Sequence, residues 1–500
     1  MPQLDLTLAI DVGTGSVRAA LVDRRGNIAA FDNRQHEQIV PHFGWSEQRP
    51  AEWWSGVAAS VRGVLEKIPG AASRVAAVAV CGQMHGTVLI DGDGELVRES
   101  VPLWNDKRTR DLVEAFAARH PPEEYLEITG NPPAPAWPGF KLQWFQQHEE
   151  AVYRRTASVL MPKDYINFRL TGVRSFEITE ASLSFLMDAR TWRWSPVMLE
   201  MLGIDGRKLP DIRWPTEIVG KVTPAAGRET ALLAGTPVLV SASDYPMALL
   251  GSGACHPGRG SDVTGTSSLA TLVCEHPVAH PEIMNTATPN GLWGAFVIVD
   301  AGGDAMRWAR RAFHENAIGY DAIVARAAEA PAGADGLFFL PFLSGERLGT
   351  HPNSRAQFFG LTATHGIAHL HRAVLEGVAF ALRRSVNTMR SGGARLDRLI
   401  ASGGGAKTRL WLQIKASMLG TPVVVPAEPE CGVIGCAALA AAALGEFATP
   451  QAAADALVRF EEEILPDPAW QQRYDAMAPI FDRLYLHSQA FYDDLDRLLA

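Results

Sequence analysis

Two apolar runs, each interrupted by a glycine-rich polar turn, stand out in the hydrophobic pattern of the chain. Residues 6–10 are apolar, residues 11–16 read Asp-Val-Gly-Thr-Gly-Ser, and residues 17–23 again suit a strand. Residues 260–268 repeat this order before the apolar run 269–274. A phosphate-binding loop of the Walker or dinucleotide type is followed by a helix instead. The pattern therefore predicts two β-hairpins, far apart in the chain, each with a turn rich in Gly, Thr and Ser.

Between and after these hairpins, the pattern alternates between strands and helices. Apolar runs predict strands at residues 75–80, 87–91, 237–240, 336–342, 396–401 and 422–425. Helical patterns cover residues 104–118, 367–389, 408–419 and 431–444, followed by a charged, peripheral helical tail at 450–500. We therefore expect one hairpin-led α/β lobe in each half, hinged about a cleft, with domains at residues 1–246 and 247–500.

Length and composition narrow the class of protein. Five hundred residues are too many for one core, and 47% hydrophobic with 20% charged residues describes a folded protein. The net charge of −9, without a basic cluster, argues against nucleic acid as a partner. Five cysteines without a metal-type pair favour reduced thiols and a cytoplasmic protein. The first residues lack a secretory pattern, and the longest apolar run, 436–444, is too short to span a membrane.

The two predicted turns carry groups that bind phosphate. Glycines let backbone N–H groups close around phosphate oxygens, and hydroxyls and a guanidinium add donors. The expected ATP phosphate site consists of Gly13, Thr14, Gly15, Ser16, Arg18, Gly265, Thr266 and Ser267. Asp11, at the end of the first strand, suits Mg²⁺ held directly or through water. The alternative is that both loops are ordinary polar hairpin turns.

Asp244 is the candidate for the group that deprotonates an attacking hydroxyl. Phosphoryl transfer needs phosphate donors, Mg²⁺ and a group that positions the nucleophile. Asp244 follows the predicted strand 237–240, at the strand end where α/β proteins place catalytic groups. The same carboxylate can contact the metal. The alternative is a helix N-cap, a frequent role of Asp at a strand–helix junction.

Three further loops carry candidate ligand contacts. Met84 and His85 suit a sugar better than a metal, because no second ligand lies at metal spacing; the alternative is a satisfied turn histidine. Trp104 and Asn105 offer an aromatic face and polar groups to carbohydrate hydroxyls; the alternative is a capped helix with a buried Trp. The third loop contains Gly403, Gly404 and Gly405. It would let an adenosine approach the backbone closely, although taken alone it favours a tight strand–helix turn.

With these residues in place, the chain resembles the FGGY carbohydrate kinases, a family built on the actin-like ATPase core, and most of all its xylulokinases. The matching segments are residues 11–16, 44–48, 82–86, 103–106, 162–165, 340–347, 359–362, 372–379 and 403–406. The resemblance implies an α/β fold of two actin-like (ribonuclease H-like) domains flanking a central cleft. It also implies ATP-dependent phosphorylation of a small ketose, with D-xylulose, converted to D-xylulose 5-phosphate, as the default substrate.

By position, the resemblance assigns catalysis to Asp244, the metal to Asp11 and Asp244, and xylulose contacts to Met84 and His85. Xylulokinases generally have Gly-Gly-Asp-Asn where this chain has Ala-Ser-Asp-Tyr, so Tyr245 replaces an amide expected to touch the sugar. Another pentulose, a tetrulose or a polyol therefore stays open as the substrate. The rivals are a non-catalytic sugar-binding relative and an actin-like ATPase that acts on proteins. The resemblance also allows a homodimer.

Overall fold

The computed structural model describes residues 4–347 and 351–499, and the ends of the two predicted domains, residues 1–3 and 500, lie outside it. The strands of the first half are β1 (Leu6–Val12), β2 (Ser16–Asp23), β3 (Ile28–Gln35), β4 (Glu47–Gln48), β5 (Val75–Gly82), β6 (Val88–Ile90), β7 (Val101–Pro102), β8 (Ser158–Leu160), β9 (Phe176–Glu177), β10 (Met187–Asp188), β11 (Arg193–Trp194), β12 (Ile212–Arg213), β13 (Ile218–Lys221) and β14 (Pro237–Leu239). Its helices are α1 (Pro50–Lys67), α2 (Arg110–Arg119), α3 (Leu126–Thr129), α4 (Pro138–His148), α5 (Glu150–Arg155), α6 (Pro162–Thr171), α7 (Ile178–Ser182), α8 (Pro196–Leu202), α9 (Pro224–Thr230) and α10 (Asp244–Gly251).

The second half continues with its own strands and helices. The strands are β15 (Gly258–Thr264), β16 (Ser268–Cys274), β17 (Met284–Ala287), β18 (Trp293–Val299), β19 (Phe338–Leu340), β20 (Gln357–Phe359), β21 (Leu396–Ser402), β22 (Val423–Pro426) and β23 (Phe460–Ile464). The helices are α11 (Gly303–His314), α12 (Tyr320–Glu329), α13 (Ile367–Ser391), α14 (Arg409–Leu419), α15 (Cys431–Ala443), α16 (Pro450–Leu457) and α17 (Pro468–Leu499).

Each half contains one main mixed sheet, and the two sheets share a core of five strands in the same order. That order is β3-β2-β1-β5-β14 in the first sheet and β18-β16-β15-β21-β22 in the second. In both sheets the leading strand pairs antiparallel with the other strand of its hairpin and parallel with a later strand. Both predicted hairpins and the mixed α/β fold are therefore confirmed, and the two hairpins occupy equivalent places in the two sheets.

Helices α10 and α15 connect the two halves. The small residues of α15 pack against the first sheet, with Ile434 and Ala437 in one buried cluster with Ala9 and Cys81. Where the helices cross, a Cβ on Gly435 would lie 2.1 Å from the carbonyl oxygen of Met247. The small residues of α15 thus let the two helices pack closely, and the predicted helix at 431–444 is confirmed. The domain boundary after residue 246 stays a prediction, and it falls inside α10.

The helix predicted to open at Trp104 begins later, at Arg110. Residues 104–109 instead form turns, because the Asp106 carboxylate accepts hydrogen bonds from Ser46 and Arg108. Its Oδ2 accepts from the backbone N–H of Ser46 at 2.7 Å, and its Oδ1 accepts from the Arg108 guanidinium at 2.8 Å. Tertiary contacts thus override the local helical tendency, and this helix prediction was wrong at its start.

The C-terminal region differs from the predicted peripheral helical tail. Strand β23 pairs antiparallel with β22 and extends the second sheet. Helix α17 buries Tyr474, Phe481 and Tyr485 in a core shared with α13. The apolar residues of this region are spaced among charges, so the sequence pattern hides their burial. Among the helices of residues 4–347 and 351–499, none combines the length and the apolar character needed to cross a bilayer.

Candidate active site

The first hairpin turn, at residues 13–15, is held in shape by groups from outside the hairpin. Within the turn, the Gly13 N–H donates to the Ser16 carbonyl at 3.0 Å. The Gln48 side-chain amide donates to the Thr14 carbonyl at 2.6 Å, and His36 Nε2 lies 2.9 Å from the Gly13 carbonyl oxygen. These contacts occupy carbonyl oxygens of the turn and leave Gly15 at its exposed tip. The predicted phosphate-binding residues 13–16 therefore lie together in one fixed turn.

The second hairpin turn, at residues 265–267, is supported by the start of α11. Gly303 and Asp304 donate their N–H groups to the carbonyls of Gly265 and Thr266, both at 2.9 Å. A Cβ on Gly303 would lie only 2.3 Å from the Gly265 carbonyl oxygen, so glycine is required for this contact. Gly265 and Thr266 are exposed, and Ser267 is partly buried. The turn is open to a ligand on the side away from α11.

The base of the second hairpin is a buried polar cluster. Lys415 from α14 forms an ion pair with Asp262, and both side chains are almost fully buried. Thr264 and Ser268 donate their hydroxyls to Asp262 Oδ1 at 2.8 and 2.9 Å. The cluster fixes both strands at the point where they enter the turn.

The glycine run at 403–405 lies directly against this hairpin. Gly403 has a φ of +77°, and a Cβ there would lie 2.8 Å from the Thr264 carbonyl oxygen. A Cβ on Gly405 would lie 2.6 Å from the Thr264 side chain. The structure thus brings all three glycines beside the predicted phosphate turn. The favoured local alternative also fits, because residues 404–407 form a short 3₁₀ helix after β21.

Asp11 and Asp244 provide two interacting carboxylates. Asp11 is the buried, next-to-last residue of β1, opposite Arg18 on β2 and Cys81 on β5. Asp244 is the first residue of α10, and its Oδ1 accepts from the Tyr245 N–H at 2.7 Å. Ser243 occupies the N-cap position, so the N-cap alternative for Asp244 was wrong.

The electrostatics of this pair follow from burial and repulsion. The pKa of Asp244 is raised to about 7, first by burial and then by the negative charge of Asp11. Burial also raises the pKa of Asp11, against the attraction of Arg18. Arg18 Nη1 lies 3.4 Å from Asp11 Oδ2 and 3.3 Å from Glu430 Oε2. One guanidinium is therefore shared by Asp11 and Glu430, two acids from the two halves of the chain.

His85 is held in a left-handed backbone conformation, with a φ of +65°. The backbone N–H of His85 donates to the buried Glu180 carboxylate at 3.1 Å, and its backbone carbonyl accepts from Lys141 Nζ at 2.7 Å. The ring packs edge-on against Trp137. Burial, and then the Lys141 charge, lower the pKa of His85 well below its ordinary value, so the ring is neutral at pH 7. Among the described residues, His85 Nδ1 has no hydrogen-bond partner, and it lies 3.4 Å from the buried Glu180 Oε2.

Trp104 and Asn105 lie on the loop after β7, which reaches the first hairpin turn. Trp104 Nε1 donates to the Thr14 hydroxyl at 3.1 Å, so this loop contacts the first hairpin turn directly. Its side chain is 39% exposed, which makes a buried structural Trp the wrong alternative. Asn105 Oδ1 is buried without a partner in the described part of the chain. Met84, next to His85 in the chain, is buried in the hydrophobic core.

Tyr245 turns its hydroxyl away from Asp244. The hydroxyl hydrogen-bonds to the Thr271 hydroxyl on β16, and the ring packs edge-on against Phe296 on β18. Burial raises the pKa of Tyr245 well above its ordinary value, so the phenol stays protonated. The sequence placed Tyr245 next to the predicted base but gave no sign of this cross-sheet contact.

Several residues that shape the site were not singled out from the sequence. They are Gln48, Gln83, Lys141, Glu180 and Glu430. Gln48 and Gln83 lie inside the quoted segments 44–48 and 82–86, so those segments were the available signal. Lys141 and Glu180 lie on unremarkable helical stretches and Glu430 directly precedes α15, and only their contacts distinguish them.

Comparisons with known proteins agree with this geometry. The N-terminal domain model of the FGGY family of carbohydrate kinases matches residues 6–251, and the C-terminal domain model matches residues 261–444. A xylulose kinase of Escherichia coli is 30% identical over 489 residues, covering 96% of this chain and 98% of that protein. A xylulose kinase of Bacillus subtilis is 28% identical over 492 residues, covering 96% and 97%.

Solved structures give the same result for the fold. The xylulose kinase of Rhodospirillum rubrum superposes with a TM-score of 0.93 at 30% identity, covering 98% of this chain and 100% of that one. A gluconate kinase of Lactobacillus acidophilus gives a TM-score of 0.91 at 25% identity, covering 98% and 100%. The expected fold class, two actin-like (ribonuclease H-like) units, is confirmed. Because the two domain models together span most of its length, the chain belongs to the FGGY family of carbohydrate kinases.

Proposed function

We propose that this protein transfers the γ-phosphoryl group of ATP to D-xylulose, giving D-xylulose 5-phosphate and ADP. The observation that carries the proposal is the pair of interacting carboxylates, Asp11 and Asp244. They lie beside the loops that carry Met84, His85, Trp104 and Asn105, where buried polar atoms lack hydrogen-bond partners. Similarity to xylulose kinases over nearly the whole chain supports the choice of sugar.

Asp244 is the proposed general base. The sugar hydroxyl oxygen attacks the γ-phosphorus, the bond to the ADP oxygen breaks, and the hydroxyl proton passes to the Asp244 carboxylate. A base works best when its pKa lies near the working pH, and a pKa of about 7 meets that condition. The hydrogen bond from the Tyr245 N–H orients one carboxylate oxygen and leaves the other free for the proton.

The proposed nucleotide site uses both hairpin turns and the glycine run. The turns at 13–16 and 265–267 offer backbone N–H groups and hydroxyls to the phosphates, as such turns do in other phosphate sites. Arg18 adds a positive charge near the first turn. The proposed adenosine contact is with Gly403, Gly404 and Gly405, because Gly403 and Gly404 are exposed and the run lies against Thr264.

The proposed metal is Mg²⁺, held by Asp11 and Asp244. Asp11 Oδ1 is buried and has no hydrogen-bond partner in the described part of the chain, so it fits a hard cation that prefers oxygen ligands. When bound, Mg²⁺ neutralises charge on the phosphate oxygens during transfer.

The proposed sugar site is the loop cluster of Met84, His85, Trp104 and Asn105. Buried polar atoms normally find partners, so unpartnered ones in a pocket suggest missing ligand contacts. Gln83 Oε1 and Asn105 Oδ1 are two such atoms, and His85 Nδ1, which lies 3.4 Å from Glu180 Oε2, is a third atom without a hydrogen bond in the described part of the chain. A polyhydroxylated ligand can satisfy all three, and the exposed Trp104 ring offers an apolar face to it.

The position of Tyr245 supports a second candidate, a kinase for another pentulose, a tetrulose or a polyol. Its hydroxyl is bound to Thr271, so this residue offers no amide to the substrate. A coupled ADP-release assay over ketopentoses, tetruloses and pentitols separates the candidates. Fastest turnover of D-xylulose supports the main proposal, and an inert D-xylulose beside an active relative supports the second. Sugar-independent ATP turnover would instead indicate an ATPase acting on another target, and sugar binding without ADP release a non-catalytic relative.

The proposed cellular setting is the cytoplasm, which the five free cysteines support. The proposed assembly is a homodimer, by analogy with other FGGY kinases. Light scattering on the purified protein measures the assembly directly, and a monomeric mass would exclude the dimer.

A further inference from the structure

The two residues that flank Asp244 are anchored to different halves of the chain. Before it, the Ser243 hydroxyl lies 2.7 Å from the Thr179 hydroxyl on α7, and the Ser243 N–H donates to the same Thr179 oxygen at 3.2 Å. After it, the Tyr245 hydroxyl hydrogen-bonds to Thr271 on β16. Asp244 therefore lies between one residue bonded to the first half and one residue bonded to the second sheet.

The anchor on the second side is buried and specific. Thr271 is fully buried, and its cross-strand partner on β18 is Phe296, the residue against which the Tyr245 ring packs. Strand β16 begins directly after the turn at 265–267. A rigid strand thus connects the phenol to the proposed phosphate turn.

We propose that Tyr245 is a positioning residue, whose hydrogen bond to Thr271 fixes Asp244 relative to the second hairpin turn. The inference rests on the proposed function, because it concerns where the base lies relative to the nucleotide phosphates. Ground-state binding of the sugar uses other loops and the nucleotide is held by its own turns. Loss of the bond therefore affects the chemical step more than either affinity.

The resemblance leads one to expect an asparagine at position 245, where this chain has a tyrosine that bonds to Thr271. An asparagine amide is too short to cross to β16 and make the contact of a phenol hydroxyl with Thr271. Where the resemblance leads one to expect a short polar group, this chain therefore has a long side chain that ends in the second sheet. We therefore expect the Tyr245→Asn variant to lack the contact that the phenol makes with Thr271.

The test uses Tyr245→Phe, which keeps the ring on Phe296 and removes only the hydroxyl. Misplacement of a catalytic group by about 1 Å costs about 100-fold in rate, so we expect kcat to fall about 10- to 100-fold. The KM values for sugar and ATP should change by less than about threefold. Thr271→Val should reproduce this pattern, and Thr271→Ser, which keeps a hydroxyl, should retain kcat.

The double variant Tyr245→Phe/Thr271→Val distinguishes one shared bond from two separate effects. Because both changes remove the same bond, its kcat should equal that of either single variant, not their product. The matched control is Tyr153→Phe, a buried phenol that accepts from the Asp205 N–H and that lies outside the proposed site. A kcat of Tyr245→Phe within twofold of the wild type, additive losses, or an equal loss in Tyr153→Phe would each overturn the proposal.

Wild-type activity keeps the two hypotheses apart. If the wild type releases no ADP with any sugar, the proposed function fails, whatever the variants do. If the wild type is active and Tyr245→Phe is equally active, only the positioning role fails. Thermal unfolding of every variant reports whether a lost kcat comes with lost folding; a fully folded Thr271→Val with unchanged kcat also overturns the role.

Discussion

Replacement of Asp244 by asparagine should lower activity and raise stability at the same time. The amide keeps an acceptor oxygen for the Tyr245 N–H, which lies 2.7 Å from Oδ1, so local geometry is preserved. It cannot take the proton of the attacking hydroxyl. Loss of general-base help typically costs about 10²–10⁴ in rate, so kcat should fall at least about 100-fold with ATP affinity little changed.

The stability effect follows from the raised pKa. The folded chain disfavours the ionised carboxylate, since the pKa rises from 3.8 to about 7 through burial and the charge of Asp11. This penalty is absent below pH 3.8 and complete above about pH 7, because only the ionised form suffers it. The difference corresponds to about 4 kcal/mol, an upper bound because solvent screens a partly exposed carboxylate. Asp244→Asn should therefore stabilise the protein at pH 8 and have little effect near pH 4.

The measurements are sugar-dependent ADP release and the unfolding midpoint in urea at pH 8 and pH 4. The matched control is Asp205→Asn, because Arg207 lowers the pKa of Asp205 and the opposite sign is expected there. A kcat of Asp244→Asn within tenfold of the wild type would refute the assignment of the base. A lower unfolding midpoint for Asp244→Asn at pH 8 would refute the electrostatic argument.

Three further predictions concern pH, the buried cluster and the glycine run. With a base of pKa about 7, the ionised fraction rises from about 0.09 at pH 6 to about 0.91 at pH 8, so kcat/KM should rise about tenfold; a flat profile would contradict this. Lys415→Met leaves the Asp262 carboxylate buried without its cation and should cost about 3–5 kcal/mol in urea unfolding, against almost nothing for the exposed Lys221→Met. Gly403→Ala forces a Cβ to 2.8 Å from the Thr264 carbonyl oxygen and should raise the KM for ATP, whereas Gly393→Ala, also at positive φ but in open space, should not.

The hydrophobic pattern predicted those strands and helices whose formation depends mainly on residues close together in the chain. The two hairpins, the strands near 75–80 and 396–401, and the helices near 367–389 and 431–444 all form close to their predicted places. The helix start at Trp104 was wrong, because the Asp106 contacts that unwind it come from Ser46, far away in the chain. The tail prediction failed for a similar reason, since pairing of β23 depends on a partner strand and not on its own sequence.

The chemical identity of the candidate groups was therefore determined by the sequence alone. Turn glycines, hydroxyls and acids at strand ends are local features, and local features are visible in a one-dimensional pattern. Only the tertiary structure decided that Asp11 and Asp244 lie close enough to repel, that Glu180 and Lys141 hold His85, and that Tyr245 reaches Thr271. Those contacts join strands and helices of distant sequence, so no local pattern could have shown them.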